Sequence, residues 1–238
     1  MKICATSLVL EITRRCNMKC AHCIRGSAQA LDMDLEIINR VISQAGTIHT
    51  LSITGGEPSL NASAISHMRF SLNYQHCRLG YFWVATNARF FKEDFYNELI
   101  WLHEQCNEPD MCVLTISGDQ YHYRQSNVAY EKYQALPFYA HDKTCDISYE
   151  RIINDGNAKK NGIGYKEHKP NSELFDTYID NGELYIGDLI YVNAKGDVLL
   201  DCDLSYKNQE KHKIGNILEE KFEDIILRKL AQQRLVAA

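Results

Sequence analysis

The chain opens on a short apolar run, Leu8-Val9-Leu10-Glu11-Ile12, which reads as a strand over residues 8–12. A helix follows, capped by Asp32 or Asp34 and running to about residue 44, with Leu35, Ile38, Val41 and Ile42 at helical spacing. Strand-like and helix-like stretches then alternate. Strands are expected over 50–54, 81–86 and 111–117, with helices over 61–73, 91–106 and about 128–139, and a fifth strand between 145 and 153. Strands separated by helices of about 10–15 residues are the signature of βαβ units around a parallel sheet, so the expected fold class is α/β, a β/α barrel or partial barrel.

The alternation stops at the turn-rich stretch over 154–162. Beyond about residue 167 two strands are expected, 183–192 and 197–201, joined by Asn193-Ala194-Lys195-Gly196 with glycine supplying a positive φ. A closing helix over 222–236 carries Ile225, Ile226, Leu230 and Leu235. The expected division is a core over 1–165 and a small α+β cap over 166–238. No internal repeat or low-complexity segment interrupts it.

Charge narrows the function classes. There are 31 acidic residues against 26 basic ones, and no run is basic enough to track a phosphate backbone, so nucleic-acid binding is not indicated. No apolar run reaches the roughly 18 residues that span a bilayer, and residues 3–12 are too short and interrupted for a signal peptide. The chain is therefore expected in the cytoplasm. There, nine cysteines imply metal binding or chemistry more than disulfides.

Three of the nine fall within eight residues: Cys16-Asn17-Met18-Lys19-Cys20-Ala21-His22-Cys23. A structural zinc site takes four protein ligands, often as two separated pairs, and the chain has no second CxxC. Cys4, Cys77, Cys106, Cys112, Cys145 and Cys202 are scattered singly, as buried apolar cysteines are. Three thiolates leave a coordination position open: on an iron–sulfur cube, one iron remains free for an exogenous ligand. A zinc site or a passive iron–sulfur module is the alternative.

Cys16-x3-Cys20-x2-Cys23, with His22 before the last cysteine, resembles the signature of the radical S-adenosylmethionine superfamily. Gly55-Gly56-Glu57-Pro58, directly after the second strand, resembles the GGEP motif of the same family, and the resemblance extends over about residues 5–165. It implies a partial (β/α)6 TIM-like barrel in which Cys16, Cys20 and Cys23 ligate one [4Fe–4S] cluster, with S-adenosylmethionine chelating the fourth iron. Gly55 and Gly56 would accept the ammonium group of the cofactor on their carbonyls, Glu57 and Pro58 completing that motif, and His22 would lie beside the adenine. Thr86-Asn87 resembles the TN pair, and Ser117 with Asp119 the polar ribose and carboxylate contacts. Within Gly118-Asp119-Gln120-Tyr121-His122-Tyr123, Tyr121 or His122 is placed to donate a proton or shape the pocket. The implied reaction is reductive cleavage of S-adenosylmethionine to a 5′-deoxyadenosyl radical that abstracts hydrogen from a substrate. Oxygen sensitivity and an electron donor such as flavodoxin or ferredoxin are implied with it.

Gly156-Asn157-Ala158 resembles the GRA motif with asparagine in place of arginine. The hairpin before Cys202, followed by Ile214-Gly215-Asn216-Ile217, resembles a SPASM or twitch extension. With Cys202 its only cysteine, the extension is expected to be degenerate and to lack an auxiliary cluster. Such a tail favours a peptide or protein substrate. An activating enzyme for a glycyl-radical enzyme is the runner-up.

Overall fold

The computed structural model describes residues 1–122, 126–140 and 151–236. Its central strand is β1 (Lys2–Thr13), which pairs in parallel with β2 (Ala45–Gly55) on one side and with β6 (Glu183–Val192) on the other. Both β1 and β2 are longer than their apolar runs. Polar residues such as Thr6 and Ser7 are held in the strand because ladders on both sides satisfy the backbone, and the Thr6 hydroxyl donates to the Tyr185 hydroxyl at 3.2 Å.

From β2 the parallel order continues through β3 (Arg78–Thr86) to β4 (Val113–Ile116). On the far side, β5 (Thr177–Asp180) and β7 (Asp197–Leu199) pair antiparallel with β6, and β8 (Gly215–Asn216) pairs with β7. The order β4-β3-β2-β1-β6-β7-β8 leaves two unpaired ends, so the sheet is open among the described residues. The predicted hairpin therefore extends the core sheet, with Gly196 at φ +85° in its turn.

Helices α1 (Leu35–Gln44), α2 (Ala62–Tyr74) and α3 (Glu93–His103) link the first four strands and pack side by side. Asp34 caps α1, accepting the Glu36 N–H at 2.9 Å. The buried face of α1 is Ile37, Ile38, Val41 and Ile42, whereas Leu35, at the first helical position, is exposed. α3 ends before 106 because the Gln105 and Cys106 amides tighten onto the carbonyls of Leu102 and His103, after which the Asn107 and Glu108 amides donate to Leu79 and Gly80. α4 (Asn127–Gln134) stops before 139 for a similar reason: Phe138 and Ala140 bond to Leu114 beside β4.

Of the expected fifth strand, 145–150 lie outside the described residues, and Ile153 bridges to Lys166. The stretch read as turns contains a short helix, α5 (Gly156–Lys160), and α6 (Tyr206–His212) precedes β8 without having been foreseen. α7 (Phe222–Val236) has its expected bounds. No described helix is long and apolar enough to cross a membrane.

One polar cluster is sealed inside this fold. The fully buried Glu11 carboxylate accepts from Arg14 Nε at 2.6 Å, the Tyr191 hydroxyl at 2.5 Å, Gln209 Nε2 at 2.9 Å and the Ala194 amide at 3.1 Å. Arg14 Nη2 also donates to Gln209 Oε1 at 2.6 Å. Burial pushes the Tyr191 phenol up, Arg25 opposing and Glu11 adding to the rise, which keeps it a donor. Removing one partner of such a pair leaves an uncompensated buried charge. Arg14→Met is expected to cost about 3–5 kcal/mol in urea denaturation, and Glu11→Gln/Arg14→Met less than the single change. A double variant weaker than Arg14→Met would show that the charge is not what the network compensates.

Candidate active site

The loop after β1 holds Cys16, Cys20 and Cys23 as free, half-buried thiols. Two tight turns shape it: Cys23 N–H donates to the Cys20 carbonyl at 3.3 Å and Gly26 N–H to the Cys23 carbonyl at 3.2 Å. Met18 N–H donates to Cys16 Sγ at 3.4 Å. Burial pushes the Cys16 and Cys20 thiols up, Cys20 to about 12, with Cys23, Cys16 and Asp119 adding to the rise at Cys20. Such a loop holds thiolates only if a cationic centre offsets their desolvation and mutual repulsion.

Beneath the loop, β1 and β2 close on each other through a glycine pair. A methyl group on Gly55 would overlap the Thr13 carbonyl oxygen, and one on Gly56 the Arg15 carbonyl oxygen. Only glycine lets Gly56 N–H reach Thr13 O and Glu57 N–H reach Arg15 O, both at 2.8 Å. Pro58 then opens a single 3-10 turn, Pro58–Leu60. The Glu57 carboxylate is buried and braces the neighbouring strand end, accepting from the Thr86 hydroxyl at 2.7 Å, the Asn87 amide at 2.8 Å and the Ser59 amide at 3.1 Å. Asn87 in turn donates through Nδ2 to Asn17 Oδ1 at 2.8 Å, joining β3 to the cysteine loop. Ser117, just past β4, donates its amide to Thr86 O at 2.9 Å.

His22 stacks on Tyr121 with ring centroids 4.5 Å apart and meets His122 edge-on at 5.2 Å. Both imidazoles abut the Asp119 carboxylate. Burial pulls the His22 imidazole down, Asp119 opposing and His122 reinforcing, and its Nδ1 is buried with no hydrogen-bond partner.

A cavity of about 360 Å³ gathers these groups. The three cysteines and His22 form one wall, the Gly55-Gly56-Glu57-Pro58 turn another, and Asn87, Ser117 and His122 complete it. Asp119 and Tyr121 stand behind the imidazoles, and Tyr123 lies outside the described residues. Thr86, of the expected Thr86-Asn87 pair, also lines the cavity, and so do Thr54, Arg25, Arg151 and Asp203, which were not foreseen. Thr54 adjoins the glycine motif at the end of β2. Nothing local in the sequence marks the other three, since Arg151 and Asp203 arrive from distant segments and Arg25 reads as a loop cation.

Those segments clamp the cysteine loop. Asn157 donates its amide to Cys23 O at 2.9 Å and its side chain to Cys20 O at 3.2 Å, and Asn161 Nδ2 donates to Ala21 O at 2.9 Å. The asparagine in place of the expected arginine is thus a backbone clamp. Gly156 packs so closely that a methyl group there would overlap Ile24 O. On the opposite flank Arg25 Nη1 donates to the carbonyls of Cys202 at 2.5 Å and Leu204 at 2.7 Å. Asp155 joins the two clamps: it caps α5 on the Gly156 amide at 2.8 Å and accepts from the Ser205 amide at 2.8 Å and Asn208 Nδ2 at 2.9 Å, at the start of α6.

The residues present fit a [4Fe–4S] cluster with S-adenosylmethionine. Three soft thiol donors without a fourth cysteine share the cavity with a glycine wall bare of side chains, and a buried imidazole nitrogen nearby has no partner.

No family model matches the chain. It is 31% identical over 91 residues, 36% of its own length, to the uncharacterized protein MJ0907 of Methanocaldococcus jannaschii, and spans about a third (32%) of that protein. In fold it is similar to anSMEcpe solved with bound AdoMet and the Cp18Cys peptide, at a TM-score of 0.56 and 13% identity over 93% of this chain and 80% of that one. It is also similar to Streptococcus suis SuiB bound to the precursor peptide SuiA, at a TM-score of 0.53 and 14% identity over 93% of this chain and 64% of SuiB. SuiB bound to S-adenosylmethionine gives a TM-score of 0.51. The chain shares its α/β fold with these structures.

Gly56→Ala is expected to cost about 1–3 kcal/mol in urea denaturation, because the displaced Arg15 carbonyl must carry the loop with it. No loss would mean the loop yields freely. The Asp155 clamp should titrate. Burial pushes its carboxyl up, but the Ser205 and Gly156 amides and the Asn208 side chain outweigh it, and the net shift is down. A depressed carboxyl contributes stability above its unfolded value of about 3.9, and the contribution fades as pH falls through the lower folded value. The stability gap between the native chain and Asp155→Asn should be wider at about pH 6 than at about pH 3 in denaturant titrations; equal gaps would contradict the clamp.

Proposed function

We propose that this chain is a radical S-adenosylmethionine enzyme acting on a peptide or protein. The observation that carries the reading is the meeting of Cys16, Cys20 and Cys23 with Gly55 and Gly56 around a single cavity at the carboxyl ends of parallel strands. In this reading the three thiols hold one [4Fe–4S] cluster, and the cofactor lies between the glycine turn and His22. The chemistry supplied by these groups when bound is one-electron reduction of a sulfonium and hydrogen abstraction from a substrate.

The chain's own residues then have defined tasks. Gly55 and Gly56 keep the wall free of side chains, and Glu57 holds the ends of β2 and β3 in register from behind it. Ser117 with Asp119 would supply the ribose and carboxylate contacts and Asn87 a further polar group in the cavity, while Asp119 also abuts the His22 and His122 rings and Tyr121 stacks on His22. His122 lines the cavity and shapes it, with Asp119 beside it. Residues 166–238 serve as a twitch-like extension without an auxiliary cluster, since Cys202 is their single cysteine. The likeness to a structure holding AdoMet together with a peptide supports the substrate class. Electrons would come from a small carrier such as flavodoxin or ferredoxin.

Anaerobically reconstituted protein given dithionite and S-adenosylmethionine is expected to release 5′-deoxyadenosine and to carry about four irons per chain. Cys16→Ala, Cys20→Ala or Cys23→Ala should abolish both, whereas Cys202→Ala should leave the iron content unchanged. Absence of 5′-deoxyadenosine from the cluster-loaded chain would sink the enzyme reading in favour of a passive metal module.

A further inference from the structure

His22 and His122 flank one carboxylate. His22 Nε2 lies 3.4 Å from Asp119 Oδ2, and His122 Nδ1 lies 2.9 Å from Asp119 Oδ1. One donor atom from each of the three residues falls within 4.8 Å of the other two. The carboxylate is 2% exposed and the two rings 12% and 13%, so the cluster is nearly closed to water.

The short contact to His122 is not a hydrogen bond, for His122 Nδ1 is buried with no hydrogen-bond partner although Asp119 Oδ1 is 2.9 Å away. A neutral ring nitrogen that carries no proton presents a lone pair, and one with no hydrogen-bond partner can offer it to a cation. Imidazole and carboxylate ligands bind zinc at about 2.0–2.2 Å, which sets neighbouring donors roughly 3.0–3.4 Å apart at ordinary coordination angles. Both separations found here are close to that range.

The carboxylate is also held in place. Asp119 Oδ1 accepts the Tyr121 amide at 2.8 Å, the His122 amide donates to the Asp119 carbonyl at 2.9 Å, and Tyr121 stacks on His22. Such outer contacts are what orient metal ligands.

We propose that His22, Asp119 and His122 form a mononuclear site for a divalent transition-metal ion of the zinc or ferrous class. Two imidazoles and one carboxylate suit these ions, and calcium and magnesium prefer all-oxygen cages. Three protein ligands leave a position open, and because both histidines line the cavity that position is available to a carboxylate, thiolate or other heteroatom bound there. His22 lies on the cysteine loop, between Cys20 and Cys23, but the site uses none of the three thiols.

Equilibrium dialysis of the cluster-reconstituted full chain against zinc, followed by metal analysis, tests this. About one zinc per chain is expected in addition to the iron. Asp119→Asn and His122→Ala, each checked for native circular dichroism, should weaken it by more than the roughly 10–100-fold that loss of an outer contact costs. Cys16→Ala should retain the zinc while losing the cluster, which separates this site from the thiols and from the enzyme reading. Absence of bound zinc overturns the proposal, as does zinc kept by both Asp119→Asn and His122→Ala or lost from a folded Cys16→Ala chain.

Discussion

An ionised carboxylate buried away from water survives only with a full set of donors, and Glu11 imposes that constraint on this fold. Its cation, Arg14, is three residues further along, one before the cysteine loop's flanking arginine and two before Cys16. Its other donors, Tyr191, Ala194 and Gln209, come from the far end of the chain. β1 therefore reaches its native surroundings only when β6 and α6 have docked. The first residues of the loop begin at Arg14, so the placing of the cysteines is coupled to the tail by electrostatics as well as by the sheet.

The clamps on that loop share a feature. Asn157 and Asn161 grip the carbonyls of Cys20, Ala21 and Cys23. Arg25 reaches outward from the loop to carbonyls of the tail. The sulfur atoms are left largely out of these bonds, with Cys16 receiving the Met18 amide at 3.4 Å and a distant contact from Asn87. Holding a loop by its carbonyls fixes where the thiols stand without spending their lone pairs. That division of labour suits soft donors, two of which, Cys16 and Cys20, have their acidity suppressed by burial.

Much of the site was legible because its signals are local. Cys16, Cys20 and Cys23 lie within eight residues, and Gly55-Gly56 follows a strand whose apolar face is plain in the sequence. The helix periodicity likewise located α1 and α7, although Leu35 misled the phase of α1 by lying at its first position. The pairing of β6 with β1 was not legible, since it joins residues some 180 apart and leaves no periodic trace. α5 was hidden for another reason: glycine and asparagine read as turn residues, yet Asp155 supplies a cap and Ile24 leaves room only for glycine.

The tail explains itself by the same physics. Its one cysteine is a poor ligand as it stands, because burial pushes the Cys202 thiol up to about 11, Asp203 adding and Arg25 opposing. What position 202 gives the loop is its carbonyl, which accepts from Arg25. Leu204 O does likewise, the Tyr206 amide donates to Arg25 O at 3.2 Å, and the Tyr206 ring lies 4.4 Å from the Arg14 guanidinium. Arg14 and Arg25, on either side of the cysteines, thus both find partners in residues 202–209. An eight-residue loop bearing three half-buried thiols, two of which, Cys16 and Cys20, have their acidity suppressed by burial, gains little order from its own span. The order comes from Arg14 and Arg25, whose guanidinium groups would be costly to bury without the tail's carbonyls, carboxamide and ring.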